Sequence, residues 1–218
     1  IDVPVAGTLN VTQSTDRAVI HWDTMNLGHD ATWNVAQPGA GSLNINVATG
    51  AGTDPSEILG ALNSNGRVIL LDRNGVIFGP DSQVDVAGLV ASSGSLDETE
   101  AMASGKLILS GDDLDGAVIN RGTMTVAEGG LAALVAPYVQ NSGVINAKLG
   151  QVILASGKKA TIDLSGDGLF ELAADEKLTK AIIRNTSSGK ILAEGGNVLV
   201  TTATAVAALD NVINMRGI

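Results

Sequence analysis

The second half of the chain repeats one short pattern of apolar and polar positions. Each copy is a glycine, a short alternating strand, a glycine turn and a second short strand, and the copies begin at Gly122, Gly143 and Gly189. Because side chains two residues apart share one face of a strand, equivalent apolar residues of successive copies would stack in continuous inward rows. These residues are Met124, Val126, Ala132, Leu134, Ile145, Ala147, Val152, Leu154, Ile191, Ala193, Val198 and Val200.

The residues between them are mostly polar and are predicted to face solvent. They are Thr125, Asn146, Gln151, Lys190 and Asn197. The first two glycines lie about 21 residues apart, close to the circumference of one coil of a β-solenoid built from short strands. The interval from Gly143 to Gly189 is longer by roughly one further coil, which we expect residues 162–183 to fill.

An asparagine precedes the first glycine of each copy, at Asn120, Asn141 and Asn185. Asparagine tolerates tight turns, and its amide can stack on the same residue of the next coil. We therefore predict an asparagine ladder along one corner of the solenoid. Residues 212–217 resemble residues 118–122 with one insertion, so we expect a new coil to begin there and the protein to continue beyond residue 218.

Short strands are predicted elsewhere in the chain as well. They fall at residues 68–71, 84–86, 107–109, 152–154, 162–164 and 198–200, each bounded by turn-forming residues. Residues 9–13 and 18–22 alternate around a polar turn and predict a hairpin that caps the first coil. Only residues 170–183 have a loosely helical pattern, and we expect residues 166–184 to leave the solenoid as an excursion around residues 175–180.

Composition agrees with thin stacked layers. The chain has 218 residues, of which 44% are hydrophobic but only 2% aromatic, with 27 glycines and no cysteine. Its net charge of −10 argues against binding to nucleic acid or to anionic membranes, both of which require clustered basic residues. The absence of cysteine excludes disulfides and thiolate metal sites.

Candidate chemistry is sparse. His21 and His29 lie near Asp23 and Asp30, but this spacing does not define a zinc site. Residues 112–116 and 163–168 are rich in aspartate, yet they lack the ligand pattern of a calcium loop and are interpreted as turns. Carboxylates are scattered over turns and no nucleophile motif is present. We therefore predict a protein that is not an enzyme and that has no cofactor and no metal.

Several segments resemble one known family in combination. They are IHWDTMNLG at 20–28, LN at 43–44, DPSEILG at 54–60, LNSNGRVILLDRNGVIFG at 62–79 and QVDVAGLVA at 83–91. Together they resemble the secretion domain of two-partner secretion exoproteins, the filamentous-haemagglutinin-type amino-terminal domain. The resemblance implies an all-β, right-handed parallel β-helix with an amino-terminal β-cap and an extra-helical excursion. We expect a single domain over residues 1–218, with the cap and first coils in residues 1–60 and the remaining coils in residues 61–218.

The resemblance also indicates which residues a partner reads. The family's Asn-Pro-Asn-Gly turn falls on Asp72, Arg73, Asn74 and Gly75, with Asp in place of Asn and Arg in place of Pro. This turn is either a structural link between two buried strands or a direct contact with a transporter, and the two roles are compatible. A second motif of the family, Leu-Asn-Arg-Val-Thr-Gly, corresponds loosely to residues 43–50 and places Asn44 and Asn46 in it.

From this resemblance we expect a secretion-targeting and folding-initiation module of a large surface protein or adhesin. The implied partner is an outer-membrane transporter of the Omp85 class (TpsB type), whose periplasmic POTRA domains recognise the module. We expect a monomer that is exported through the periplasm and outer membrane of a Gram-negative bacterium, with host or matrix surfaces contacted through regions downstream. The alternative is an adhesin or matrix-binding β-solenoid that itself binds a glycan or a host protein.

Overall fold

Three sheets of parallel strands wind around one apolar interior, and a fourth sheet lies outside them. The computed structural model describes residues 2–5, 7–111, 116–157, 159–164, 170–172, 181–202 and 213–215. Sheet 1 contains, in spatial order, β1 (Asp2–Val5), β2 (Thr8–Thr12), β4 (Thr32–Ala36), β7 (Ala61–Ser64), β10 (Gln83–Val86), β15 (Thr123–Val126), β18 (Val144–Asn146) and β23 (Lys190–Leu192). Sheet 2 contains β3 (Arg17–Trp22), β5 (Leu43–Ala48), β8 (Arg67–Leu71), β11 (Gly88–Ser92), β16 (Leu131–Val135), β19 (Gln151–Ser156) and β24 (Asn197–Thr202).

Sheet 3 and a fourth sheet outside the β-helix, which we call the side sheet, complete the architecture. Sheet 3 contains β6 (Ser56–Ile58), β9 (Gly75–Phe78), β14 (Ala117–Asn120), β17 (Tyr138–Asn141), β22 (Ile182–Asn185) and β25 (Ile213–Met215). The side sheet is antiparallel and contains β12 (Ser95–Leu96), β13 (Lys106–Ser110), β20 (Lys159–Asp163) and β21 (Phe170–Leu172), with the helix α1 (Glu98–Ser104) between β12 and β13.

The chain visits sheets 1, 2 and 3 in turn, and each circuit is one coil of a parallel β-helix. Coil 1 holds β2 and β3, and it reaches sheet 3 only through a bridge from Leu27 to Ile58. The later circuits are coil 2 (β4, β5, β6), coil 3 (β7, β8, β9), coil 4 (β10, β11, β14), coil 5 (β15, β16, β17), coil 6 (β18, β19, β22) and coil 7 (β23, β24, β25). The predicted parallel β-helix is therefore confirmed.

The predicted inward rows are present in coils 5 and 6, and they extend back into earlier coils, where they were not predicted. Val68, Leu89, Ala132 and Val152 are successive partners in sheet 2, and all four are buried. At the far end of the described sheet, Val198 continues this register but is 41% exposed. The buried members of these rows supply the apolar contact area that stabilises the stacking of one coil on the next.

The predicted hairpin at residues 9–13 and 18–22 is wrong. The two segments form β2 and β3, which lie in sheets 1 and 2 and pair in parallel with β4 and β5 instead of with each other. The Gln13 side chain donates to the Thr15 and Leu43 carbonyls and holds the bend between them. Two alternating segments around a polar turn fit a solenoid corner as well as a hairpin. The described strand that covers β2 is β1, which pairs with it antiparallel.

Both tryptophans lie at the amino-terminal end of the interior. Trp33 is buried and Trp22 is partly exposed, and their rings meet edge to face with centroids 5.6 Å apart. This geometry suits the ring quadrupoles. The two large rings thus lie together at the amino-terminal end of the interior.

A second apolar core covers the outer face of sheet 2. Ile45, Ile69 and Ile153 point away from the β-helix interior, and all three have 0% exposure. They pack against Leu107, Leu109 and Ile162 of the side sheet and Ala101 of α1. The strands of sheet 2 are therefore apolar on both faces, as in other parallel sheets covered on both sides.

The extra coil predicted between Gly143 and Gly189 is wrong, because Val144 pairs directly with Lys190 in adjacent coils. Residues 170–172 of the predicted excursion lie outside the coils, in the side sheet, which also takes in residues 95–110 that were not predicted to leave the coils. The segments at 107–109 and 162–164 contribute to β13 and β20, but these strands pair antiparallel in the side sheet instead of lying in coils. The expected excursion around residues 175–180 lies outside the described residues. The helix α1 was not predicted because it has only seven residues. Its sequence signals are an Asp97 cap that accepts from the Glu100 N–H and a left-handed Gly105 at its end.

The asparagine ladder is present. Asn120 Nδ2 donates to Asn141 Oδ1 at 2.8 Å, and Asn141 Nδ2 donates to Asn185 Oδ1 at 2.7 Å. All three side chains have 0% exposure, so these bonds satisfy amides that have no access to water. The predicted alignment of residues 212–217 is displaced by one position, because Asn185 is in register with Met215 and Asn214 with Arg184.

Replacing the middle member of the ladder tests its contribution. Asn141→Ala leaves the Asn120 and Asn185 amides without their buried partner, and we expect it to lower the free energy of unfolding by about 2–4 kcal/mol. The measurement is urea denaturation followed by circular dichroism.

The matched control is Asn63→Ala, which removes a similar amide pair with Asn34 on the exposed face of sheet 1. We expect a change within about 0.5 kcal/mol for this control. Equal losses in the two variants would show that burial of the ladder is not what matters.

Candidate recognition turn and the polar interior of the first coils

The turn from Asp72 to Gly75 joins β8 of sheet 2 to β9 of sheet 3 at one corner of coil 3. The Gly75 N–H donates to the Asp72 carbonyl at 2.8 Å, which closes a tight turn. The Asp72 N–H donates to the Ser92 carbonyl of coil 4. The turn is therefore fastened both within itself and to the next coil.

The buried Asp72 carboxylate holds this turn from the inside. Its Oδ1 accepts from the Asn74 N–H at 2.9 Å, and its Oδ2 accepts from the Ser56 hydroxyl at 2.6 Å. Asp72 is only 4% exposed, and hydrogen bonds to a buried charged group are among the stronger ones. An asparagine side chain, which the family's motif has here, also offers one oxygen to the Asn74 N–H.

Gly75 has no substitute at its position. Its φ of +113° lies in a region that side chains rarely adopt. A Cβ there would also overlap the Ala117 carbonyl oxygen and lie 2.8 Å from the Ala117 nitrogen. The glycine thus lets the corner of coil 3 approach the backbone of coil 4.

The middle of the turn faces outward. Arg73 is exposed, and Asn74 is partly exposed with its Nδ2 donating to the Gly52 carbonyl at 2.9 Å. The motif therefore divides into two structural residues, Asp72 and Gly75, and two residues whose side chains a partner can reach. The buried bonds of Asp72 and the close approach at Gly75 show the structural role, and direct contact with a transporter stays a prediction.

Asn44 and Asn46 do not form a common surface with the Asp72–Gly75 turn. Both have 0% exposure and point into the β-helix interior from β5. Trp22 Nε1 donates to Asn46 Oδ1, Asn46 Nδ2 to Asn44 Oδ1, and Asn44 Nδ2 to Gln13 Oε1, at 3.0, 2.8 and 3.0 Å. A continuous polar chain thus lines the interior of the first two coils, and a partner of the folded domain cannot reach it.

Sequence reasoning missed the partners that make these sites work. Gln13 and Trp22 complete the polar chain, and Ser56 binds the Asp72 carboxylate. Gln13 and Trp22 come from coil 1 and Ser56 from coil 2, so only coil stacking brings them to their partners. One signal was available: Asn44 and Asn46 are polar residues at positions that are apolar in later coils, namely Val68 and Leu70.

The histidines form no metal site. His21 Nε2 lies 2.8 Å from Glu98 Oε1 of α1, and both side chains are substantially exposed. His29 is exposed on a separate turn. Within the described ranges, no group of three or more His, Cys, Asp or Glu side chains is arranged to hold a metal ion. Residues 112–115 and 165–168 of the two aspartate-rich turns lie outside those ranges.

The described part of the chain also contains no helix with the length and apolar character of a membrane span.

Comparison with known proteins places the chain in a family. The pattern of the TPS secretion domain, the secretion domain of two-partner secretion exoproteins, matches residues 5–218. The chain therefore belongs to this family. This finding confirms the predicted resemblance and identifies the domain as a secretion module of an exported protein of Gram-negative bacteria.

Individual relatives agree with this assignment. The chain is 29% identical over 189 residues to the heme/hemopexin-binding protein of Haemophilus influenzae strain Rd, a match that covers 83% of the chain and 20% of the relative. A second Haemophilus influenzae protein of that name is 31% identical over 97 residues, covering 44% of the chain and 10% of the relative. The crystal structure of the HMW1 secretion domain from Haemophilus influenzae has a TM-score of 0.82 and 26% identity, covering 96% of this chain and 53% of that one. The chain thus spans at most a fifth of the curated relatives that it matches.

A substitution at Gly75 tests the structural half of the turn. We expect Gly75→Ala to lower the free energy of unfolding by about 2–5 kcal/mol, because it combines a strained φ with backbone overlap. Chemical denaturation of the purified domain provides the measurement.

Gly39→Ala is the matched control, because it adds the same methyl group where nothing lies within 4 Å and φ is not positive. We expect it to change stability by less than about 1 kcal/mol in either direction. A Gly75→Ala domain as stable as the control would refute the steric argument.

Proposed function

We propose that an Omp85-class outer-membrane transporter recognises this domain through its periplasmic POTRA modules and that the Asp72–Gly75 turn is part of what it reads. The observation that carries the proposal is that the turn contains buried structural residues next to an exposed one. Asp72 and Gly75 are buried and fasten two coils, whereas Arg73 is exposed. An exposed side chain that stands on a turn fastened by its neighbours is suited to contact a partner.

The domain's net negative charge favours a partner protein whose surface carries complementary charges. The net charge is −10, and Arg73 places an exposed cation at this corner of an acidic protein. Charge complementarity contributes mainly to specificity and to the rate of encounter. A transporter surface that pairs an acidic group with Arg73 and basic groups with its surroundings would discriminate this domain from other periplasmic proteins.

We further propose that folding outside the cell drives transport outward. Each new coil buries an inward row on the coil before it, at about 25 cal/mol per Å² of apolar surface. A coil that has folded outside cannot slide back through a pore without losing that burial. The export step would then need no ATP, since the free energy comes from stacking.

The wider activity of the protein is outside this proposal. The relatives are named for binding heme and hemopexin, and the chain spans only a fifth of the longer match. Direct binding of a glycan or host protein by this domain stays a prediction. Deleting the domain separates the two ideas, because loss of a secretion module abolishes export, whereas loss of an adhesive module leaves the remaining protein at the surface.

The recognition proposal predicts a loss of export without a loss of stability. We expect Arg73→Ala to reduce secretion of a reporter fused to residues 1–218 by about tenfold, which corresponds to ~1.4 kcal/mol of binding. Secretion is measured in cells that co-express the cognate transporter, and stability is measured on the purified variant.

Arg121→Ala is the control, because Arg121 is another exposed arginine, located where the chain leaves sheet 3. It should export normally. If Arg73→Ala is exported as well as the control, the transporter does not read this side chain.

The folding-driven proposal predicts that a broken coil slows export. We expect Ile153→Pro to destabilise β19 by about 3 kcal/mol or more, because proline cannot donate to the sheet, and to lower the rate at which the reporter appears outside. Ile153→Val keeps the strand and should lose only about 0.5–1.5 kcal/mol. An unfolded Ile153→Pro domain that is exported at the normal rate would rule out folding as the driving force.

A further inference from the structure

The side sheet is assembled from two segments that are far apart in the chain. Residues 95–110 leave the β-helix between β11 and β14, and the strands β20 and β21 lie outside it between β19 and β22. Both departures are at the corner between sheets 2 and 3, in coils 4 and 6. The segments meet where β13 pairs antiparallel with β20 in an unbroken register from Lys106–Asp163 to Ser110–Lys159. One outer structure therefore ties two non-adjacent coils together.

The helix of the first segment is fastened to coil 1 at both of its ends. At its start, Glu98 Oε1 lies 2.8 Å from His21 Nε2. At its end, Arg17 Nη1 donates to the carbonyls of Met102 and Ala103, at 2.9 Å each. These contacts place α1 antiparallel along β3, which is the terminal strand of sheet 2 and pairs only with β5 among the described strands.

A continuous apolar core joins these attachments. Leu43 and Ile45 of coil 2 share a buried cluster with Leu107 and Leu109 of β13 and Ile162 of β20. Arg67 of coil 3 also donates to the Leu164 carbonyl at the end of β20. Because interiors are close-packed, a change in the position of β20 is felt at β13 and from there at α1 and coil 1.

We propose that the side sheet and α1 act as a brace that couples coil 1 to coil 6, so that the domain opens as one unit instead of coil by coil from its amino-terminal end. In a simple solenoid each repeat contacts only its neighbours, and a terminal repeat with one neighbour opens most easily. The brace gives coil 1 a second attachment, which is released only when the side sheet opens. This property belongs to the folded domain and does not depend on the transporter.

Hydrogen exchange on the whole 218-residue domain tests the brace, with mass spectrometry to follow each strand. Ile162→Ala removes a buried side chain of β20, and we expect it to raise exchange about tenfold in β3 and β5 as well as in β13. Thr161→Ala is the matched control, since Thr161 is the neighbouring residue on the opposite, partly exposed face. Its exchange in β3 and β5 should equal that of the wild type.

A double-mutant cycle makes the coupling specific. Arg17→Ala detaches the end of α1 from coil 1, so in that background Ile162→Ala should have a much smaller additional effect on β3. If Ile162→Ala does not fold, Ile162→Val replaces it in both arms. Faster exchange confined to β13, β19 and β20, or additive effects of the two substitutions on β3, would overturn the proposal.

Discussion

Parallel stacking in register is the constraint on which the rest of this structure depends. Once β8, β11, β16 and β19 are aligned residue for residue, every side chain lies directly above the equivalent residue of the neighbouring coil. Apolar positions then form inward rows, and asparagines form a ladder with each amide satisfied by the next. The same alignment requires glycines such as Gly75 where corners of adjacent coils come too close for a side chain.

The stacking also explains why polar residues can occupy the interior. Buried amides are costly unless they are paired, and the two sets of buried asparagines here are paired in different ways. Asn120, Asn141 and Asn185 bond along the helix axis from coil to coil. Asn44 and Asn46 bond across the first two coils to Gln13 and Trp22, so the amino-terminal end differs chemically from the coils that follow.

The outer faces of the sheets serve different purposes. Sheet 1 presents polar side chains such as Asn34 and Asn63, which bond to one another on the surface. Sheet 2 is covered by the side sheet and α1, which gives a domain poor in aromatic residues a second core. In the proposed function, buried hydrogen bonds hold the Asp72–Gly75 turn on one side and Arg73 is exposed on the other. The corner that stabilises the fold would then also be the corner that the transporter contacts.

The sequence by itself determined the class of fold, the inward rows that contain Ala132, Leu134, Val152 and Leu154, the asparagine ladder and the family, because all of these follow from patterns that recur along the chain. Only the tertiary structure decided that β2 and β3 are coil strands, since alternating segments around a polar turn have the same pattern in a hairpin and at a corner. It also decided that the side sheet forms, because the paired residues of β13 and β20, from Ser110–Lys159 to Lys106–Asp163, are far apart in the chain and their antiparallel pairing leaves no periodic signal. The roles of Asp72, Asn44 and Asn46 likewise depended on partners from other coils, which the stacking brings together and the local sequence does not specify.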